Sequence, residues 1–125
     1  MRRKGGNKYH ANPVTIDGIK FPSGKEAERW LFLREAEKRG EISGLQRQVK
    51  FELLPSFYKE EIVHLKTKDK IKRRLFQNPV SYIADFVYQK DGQTVVEDTK
   101  GYRTKEYVIK KKMMYALKGI EIQEI

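Results

Sequence analysis

Residues 81–102 read SYIADFVYQKDGQTVVEDTKGY, two apolar runs joined by the dipeptide Asp91-Gly92. Asp-Gly between two such runs predicts an antiparallel hairpin with a two-residue turn, and the turn length fixes which residues face each other. The numbers of two opposed residues then sum to 183. Asp85 is therefore predicted to lie opposite Asp98 as a non-hydrogen-bonded pair, with Cβ atoms roughly 4.5–5.5 Å apart.

Two acids that face each other across a hairpin destabilise the sheet unless something between them offsets the repulsion. A divalent cation usually does so, because hard cations such as Mg²⁺ bind carboxylate oxygens. Lys100 follows Asp98 by two residues, so it is expected on the same strand face, about 6.6 Å further along. Glu97 is expected on the other face, opposite Phe86, as a structural or solvated residue.

The composition indicates a partner that carries phosphates. The chain has 125 residues, which predicts one compact domain, and a net charge of +10, which favours nucleic acid or an anionic membrane surface. It has no cysteine, so disulfide and thiolate chemistry are excluded, and its two histidines are too far apart to predict a zinc site. No apolar run approaches the ~18 residues that span a bilayer, and nothing suggests a signal peptide, so we expect no membrane partner and a cytoplasmic location.

The remaining segments predict an α/β fold. Residues 1–13 are interpreted as a flexible basic arm and residues 14–125 as one domain, in which residues 56–78 form a basic insertion outside the core sheet. Within the domain, the predicted elements are a small hairpin at 14–21, a helix from Ser23 to Gly40, a strand at 45–54, strands at 80–89 and 94–99, a helix at 104–118 and a strand at 120–125. The order helix, three strands, helix, strand predicts a mixed four-stranded sheet flanked by helices. The apolar positions of the second helix predicted to face the core are Tyr107, Val108, Met114, Tyr115 and Leu117.

This order of elements resembles the core of the PD-(D/E)XK nuclease superfamily, whose signature is an acid on one strand and an acid, any residue and lysine on the next. Asp85 and Asp98-Thr99-Lys100 match it, with Ala84 where a proline often precedes the first acid. The segments SGKEAER, LQRQVKFEL, YIADFVY and VVEDTKG resemble a phage-associated family of small nucleases, and the same layout is similar to Holliday-junction resolvases.

The resemblance implies a restriction-endonuclease-like core and a Mg²⁺-dependent DNA endonuclease, in which Mn²⁺ would substitute for Mg²⁺. Asp85 and Asp98 would bind the metal with the Thr99 carbonyl, and Lys100 would orient or deprotonate the attacking water. Glu26, in the first helix, would complete the site or bind a second ion. A capping-box role explains Glu26 equally well without catalysis, and Glu28 replaces it if the helix is rotated. Gln48 could hydrogen-bond near the site.

Two basic groups are candidate DNA contacts, although a solvated surface is the alternative for each: Lys70, Lys72, Arg73 and Arg74 in the insertion, and Lys110, Lys111 and Lys112 on the second helix. A chain of this size, with one site and no base-reading motif, is expected to act as a homodimer on branched or distorted DNA, in the host cytoplasm if a phage encodes it. Trp30 and Phe32 point in different directions, so one of them is available to a partner subunit. The alternative functions are a non-catalytic DNA-binding module and an RNA-binding or ribosome-associated protein.

Overall fold

The computed structural model describes residues 12–99 and 102–125. The elements in chain order are β1 (Val14–Ile16), β2 (Ile19–Phe21), α1 (Gly24–Lys38), β3 (Ser43–Leu54), β4 (Phe57–His64), β5 (Asp69–Gln77), β6 (Val80–Lys90), β7 (Gln93–Asp98), α2 (Lys105–Lys118) and β8 (Gln123–Glu124). The predicted flexible arm at residues 1–13 lies, apart from its last two residues, outside the described chain.

The central sheet has four strands in the order β3-β6-β7-β8. Strand β6 is antiparallel to both β3 and β7, whereas β8 runs parallel to β7, so the sheet is mixed as predicted. Val95 and Val96 are consecutive in β7 and pack in different cores, which places α1 and α2 on opposite faces of the sheet. The predicted α/β class and the predicted mixed sheet with flanking helices are confirmed.

Each helix packs one buried cluster against the sheet. The α1-side core consists of Leu33, Ala36, Ile42, Phe86 and Tyr88, with Trp30, Leu45 and Val95 beside it. The α2-side core consists of Leu53, Tyr82, Ala84, Val87, Val96, Tyr107, Met114 and Ile122, with Val49 and Phe51 among its partly buried neighbours. The prediction that α2 buries its apolar residues is wrong for Val108, Tyr115 and Leu117, whose exposed fractions are 37%, 64% and 53%.

The β6–β7 hairpin has the predicted two-residue turn. Asp91 and Gly92 have φ values of 50° and 78°, and positive φ at both positions is what a type I′ turn requires. The five ladder pairs run from Lys90↔Gln93 to Phe86↔Glu97, and in each pair the residue numbers sum to 183. The predicted register is therefore confirmed as far as the ladder extends.

Helix α1 begins and ends at the predicted residues. The Ser23 side chain accepts a hydrogen bond from the Glu26 backbone N–H at 3.2 Å, which caps the amino end. At the carboxyl end, Gly40 has a φ of 80° and its N–H bonds back to the Glu37 carbonyl. The hairpin of β1 and β2 precedes this helix and turns at Asp17-Gly18, also as predicted.

Residues 56–78 form a structure that the sequence did not predict. Strands β4 and β5 pair with each other in a separate antiparallel sheet, which we call the β-ribbon. It interrupts the chain between β3 and β6, whose ends meet at the pair Leu54↔Val80. Along the described chain, β4 and β5 make no extensive contact with any other helix or strand. The insertion is therefore two exposed strands rather than an irregular segment.

Neither α1 nor α2, the helices of the described chain, has the length and the apolar run that crossing a membrane requires.

Candidate active site

Strand β3 changes the side of the sheet that it covers at Gln48. Leu45 packs beside the α1-side core, whereas Val49 packs against the α2-side core, although a regular strand would place both on one side. The change occurs at Gln48, whose φ is 51° in the left-handed region. A residue other than glycine in this region costs roughly 1–2 kcal/mol, and such residues are often found at functional sites.

Strand β6 changes sides at the matching position. Phe86 lies in the α1-side core, whereas Ala84 lies in the α2-side core. Asp85 is between them, and the β3–β6 register is the same on both sides of this point, so Gln48 is adjacent to Asp85. Because both strands change sides at this point, the polar side chains of Gln48 and Asp85 lie between the two apolar cores.

Glu26 reaches this point from the first turn of α1. Its carboxylate accepts a hydrogen bond from Gln48 Nε2 at 3.1 Å and lies 3.5 Å from a guanidinium nitrogen of Arg47. The residue is only 3% exposed, whereas Glu28 is exposed. The backbone of Glu26 takes part in the helix cap, but its carboxylate faces β3, so the capping role leaves the carboxylate available to the site.

The environment of Glu26 disfavours its charge. Burial and, to a lesser degree, the negative charge of Asp85 raise the pKa of the Glu26 carboxyl from 4.5 to about 7, against the opposing effect of Arg47 and Gln48. Near neutral pH, Glu26 is therefore partly protonated. A cation bound between the two carboxyl groups would favour ionised Glu26 and relieve the repulsion.

Asp85 is held by the end of the neighbouring strand. Its Oδ2 accepts hydrogen bonds from the Thr99 backbone N–H at 2.9 Å and from the Thr99 hydroxyl at 2.7 Å. Its Oδ1 lies 3.4 Å from the same Gln48 nitrogen that donates to Glu26. The amide of Gln48 thus lies between one carboxylate from α1 and one from β6.

Asp98 lies on the α2 side of the sheet with Tyr82. It is 1% exposed, and the Tyr82 hydroxyl donates to its Oδ2 at 2.5 Å. Burial and this hydrogen bond raise the pKa of the Tyr82 hydroxyl. The ladder ends one pair before Asp85 and Asp98, and each carboxylate has a hydrogen-bond partner of its own.

Lys100, the predicted lysine of the site, lies outside the described residues, which end at Thr99 on this side of the gap. Thr99 is 9% exposed and donates to Asp85 through its N–H and its hydroxyl. The resemblance implies that the Thr99 carbonyl binds a metal ion; the structure adds a role for Thr99 in fixing the orientation of Asp85.

The donor set fits a hard divalent cation in part. Among residues 12–99 and 102–125, no group of three or more His, Cys, Asp and Glu side chains stands ready to hold a metal ion. Glu26 and Asp85, however, present oxygens to one shared amide nitrogen. The raised pKa of Glu26 means that its ionised form is disfavoured, and a bound cation would stabilise that form. Two carboxylates completed by neutral oxygens and water are sufficient for Mg²⁺, which usually keeps several waters.

The basic residues predicted in the insertion divide between the two faces of the β-ribbon. Lys70, Lys72 and Arg74 alternate along β5 and share one face with Lys59 of β4, since Lys59 and Arg74 are directly opposed. Arg73 lies on the other face, where its guanidinium is 4.1 Å from the centre of the Tyr58 ring. Arg74 also forms an exposed ion pair with Glu61 at 2.8 Å.

The three lysines predicted on α2 differ in their surroundings. Lys110 pairs with Glu106 at 2.9 Å, and Lys111 lies 3.3 Å from Glu124 of β8. Lys112 is exposed. Lys110 also lines a groove with Ser81, Ile83, Thr104, Tyr107 and Tyr82, whose hydroxyl donates to Asp98.

Sequence reasoning did not identify Arg47 as part of the site. Its guanidinium lies 4.3 Å from the centre of the Phe21 ring and 3.5 Å from the Glu26 carboxylate. The only sequence signal is its position next to Gln48, in a strand whose alternation predicted a side chain on a regular face. Since the change of side at Gln48 is not visible in the pattern, the contact with α1 could not be predicted.

Glu97 is structural, which was one of its two predicted roles. It pairs with Phe86 across the hairpin, as predicted, and is 1% exposed. Arg29 of α1 donates two hydrogen bonds to its carboxylate, at 2.8 and 2.6 Å, and the Tyr88 hydroxyl donates a third. This network attaches α1 to β7 and so fixes the helix that carries Glu26.

The fold and the site define an α/β protein with a cluster of acids between the two cores of a mixed sheet. The chain belongs to the family described as a protein of unknown function (DUF1064), whose model matches residues 6–123. No curated protein and no solved structure matches the chain.

Proposed function

We propose that the chain is a Mg²⁺-dependent DNA endonuclease with a restriction-endonuclease-like core. The observation that carries the proposal is the pair of carboxylates from different elements, Glu26 and Asp85, that share the amide of Gln48. A structural role does not require a glutamate whose pKa burial and, to a lesser degree, a neighbouring acid raise to about 7. A cation-binding role does, because the cation offsets both the burial and the repulsion.

Glu26 and Asp85 would hold the metal, and the resemblance adds Asp98 and the Thr99 carbonyl as further donors. When bound, Mg²⁺ polarises the phosphate and lowers the pKa of a coordinated water. The Tyr82 hydroxyl donates to Oδ2 of Asp98, so a metal bound through that oxygen would share it with Tyr82. Mn²⁺, which also binds oxygen ligands in octahedral geometry, is expected to substitute.

The chain's own residues would position the reacting groups. Gln48 holds the carboxylates of Glu26 and Asp85 beside each other, and Thr99 orients Asp85. Arg47 limits the penalty on ionised Glu26 by its positive charge. Lys100, by analogy with the superfamily, would orient or deprotonate the attacking water and offset phosphate charge.

The substrate would be bound through its phosphates, with shape rather than sequence deciding the preference. The basic face of the β-ribbon and the lysines of α2 supply cations, and nothing in the sequence resembles a base-reading module. Branched DNA, a homodimeric assembly and a location in the host cytoplasm are parts of the proposal that rest on the resemblance. Cleavage of a four-way junction, compared with a linear duplex at one salt concentration, tests the first of these.

The catalytic proposal is tested by nicking of supercoiled plasmid with Mg²⁺, with Mn²⁺ and with EDTA. We expect cleavage with either ion and none with EDTA, and a loss of at least about 100-fold in Asp85→Asn and Glu26→Gln. Glu28→Gln is the matched control, because Glu28 is an exposed glutamate on the same helix. Wild-type rates in Asp85→Asn, or equal losses in both glutamate variants, would contradict the assignment.

A non-catalytic DNA-binding module is the second candidate, and the basic face of the β-ribbon favours it equally. Both functions predict that the triple variant Lys70→Gln, Lys72→Gln, Arg74→Gln binds DNA more weakly, with a salt dependence flatter by up to about three units of slope. Arg73→Gln is the control, since its side chain lies on the other face. An unchanged slope in the triple variant would exclude the basic face as the DNA contact, and plasmid binding without nicking would favour the second candidate.

A further inference from the structure

The β-ribbon has one apolar face and one basic face. The cross-strand pairs Tyr58↔Leu75 and Ile62↔Ile71 lie four residues apart along each strand, so their side chains share a face. We call these four residues the apolar face. Their exposed fractions are 51%, 47%, 65% and 68% for Tyr58, Leu75, Ile62 and Ile71. The Arg73 guanidinium lies over the Tyr58 ring, but no helix or strand of the described chain outside the ribbon makes extensive contact with this face.

A ribbon of this kind is not expected to be stable alone. An isolated two-stranded hairpin is marginally stable in water, and it needs a further strand or a packed surface on its apolar side. The β-ribbon has neither from the described part of its own chain. Its four apolar side chains are each about half exposed or more, and the main exposed apolar patch of a protein is often functional.

We infer that the apolar face packs against the same face of a second copy of this chain. The face is complementary to itself: Glu60↔Arg73 adds opposite charges between its two apolar pairs, and the pair His64↔Asp69, whose side chains lie 2.8 Å apart, ends it. A two-fold contact would bring each Arg73 toward the acids of the other copy.

The charges argue against DNA as the occupant of this face. It carries the acids Glu60 and Asp69 against Arg73 and His64, and His64 already contacts Asp69 at 2.8 Å, so the face gives phosphates no net attraction. The opposite face, by contrast, carries Lys59, Lys70, Lys72 and Arg74 against Glu61 alone. Face-to-face packing of two ribbons leaves both basic faces exposed and on opposite sides of the contact. The inference does not depend on the proposed nuclease activity, and if that activity is present, the contact places two sites in one particle.

The first test is sedimentation equilibrium of the full chain without DNA or metal. We expect a dimer at micromolar concentration and a dissociation constant at least about tenfold higher in Ile71→Glu, because the variant places a charge in the middle of the contact. Lys72→Glu, the neighbouring residue on the basic face, is the control and should remain dimeric. A wild-type chain that stays monomeric at tens of micromolar would overturn the inference.

The second test does not require a destabilising variant. The chain has no cysteine, so Ile71→Cys and Lys72→Cys each introduce a single thiol. A short bis-maleimide should link two Ile71→Cys chains efficiently and two Lys72→Cys chains poorly. Equal linking, or an Ile71→Glu chain that remains dimeric and loses DNA affinity instead, would overturn the inference; the latter result would assign the face to DNA.

Discussion

The sheet and the β-ribbon each contain an arginine–glutamate pair, and the two pairs differ in burial rather than in distance. In the sheet, Arg29 and Glu97 approach to 2.6 Å, and the Glu97 side chain is 2% exposed. In the β-ribbon, Arg74 and Glu61 approach to 2.8 Å, but their side chains are 60% and 42% exposed. Water screens the second pair far more than the first, in which the Arg29 side chain is 23% exposed, so similar distances correspond to different interaction energies.

This difference extends to the two regions as wholes. A side chain in the sheet has several partners that fix its position, as Glu97 has in Arg29 and Tyr88. A side chain in the β-ribbon has at most its cross-strand neighbours, because no other described element packs on the ribbon. A few buried contacts therefore stabilise the sheet, whereas the stability of the ribbon depends on what binds to its two faces.

The largest effect is expected from breaking the buried pair. Glu97→Gln should lower the free energy of unfolding by about 3 kcal/mol, because it leaves the Arg29 guanidinium without its charged partner. Glu61→Gln, the corresponding change in the β-ribbon, should lower it by less than about 0.5 kcal/mol. Urea unfolding at pH 7 and one protein concentration measures both. Equal losses of unfolding free energy in the two variants would mean that burial does not decide the strength of the two ion pairs.

The second effect concerns the charge of Glu26 and depends on pH. An acid whose pKa is raised from 4.5 to about 7 in the folded state is most stabilising below pH 4.5, and this stability is lost as the pH rises through 7. At pH 8, Glu26→Gln should therefore be more stable than wild type by up to about 3 kcal/mol, and the difference should vanish near pH 4.5. Thermal and urea unfolding across this pH range measure it.

Glu28→Gln supplies the control for this pH dependence, since Glu28 is exposed on the same helix. The difference in unfolding free energy between Glu28→Gln and wild type should not grow between pH 4.5 and 7. Saturating Mg²⁺ should narrow the gap between wild type and Glu26→Gln at pH 8, because a bound cation stabilises the ionised carboxylate. A gap that is constant with pH would contradict the raised pKa.

The hairpin was predictable because its signal is local. The turn residues Asp91 and Gly92 adopt positive φ, which Asp-Gly favours, and a two-residue turn leaves one register. The helix ends were predictable for the same reason, since Ser23 and Gly40 act on the backbone beside them. The fold class followed from these local signals and from the order of the elements.

The β-ribbon and the exposed side of α2 were not predictable from such signals. In β5, lysine and arginine alternate with apolar residues on a strand exposed on both faces, so no buried side exists to mark it as a strand. On α2, Tyr115 is apolar in sequence but 64% exposed, because the sheet covers only the side that carries Tyr107 and Met114. In both places the missing information is which surface is covered.

The candidate site was predicted in its residues more than in its arrangement. Sequence reasoning named Glu26, Gln48 and Asp85, and the structure brings these three together. The sequence paired Asp85 with Asp98 instead, because a regular ladder was assumed to continue through Asp85. The change of side in β3 and β6 is a long-range property of two strands and leaves no periodic signal.

The smallest effect tests the backbone of that change of side. Gln48→Gly and Gln48→Ala both remove the amide between Glu26 and Asp85, so they differ only in the backbone. Because Gln48 has a φ of 51°, the glycine variant should be more stable than the alanine variant by about 1 kcal/mol. Gln46 is exposed on the same strand and has no positive φ, so there the order should reverse, with alanine more stable by about 0.5–1 kcal/mol. Urea midpoints of the four variants measure both differences, and an alanine variant at position 48 as stable as the glycine variant would exclude the left-handed conformation.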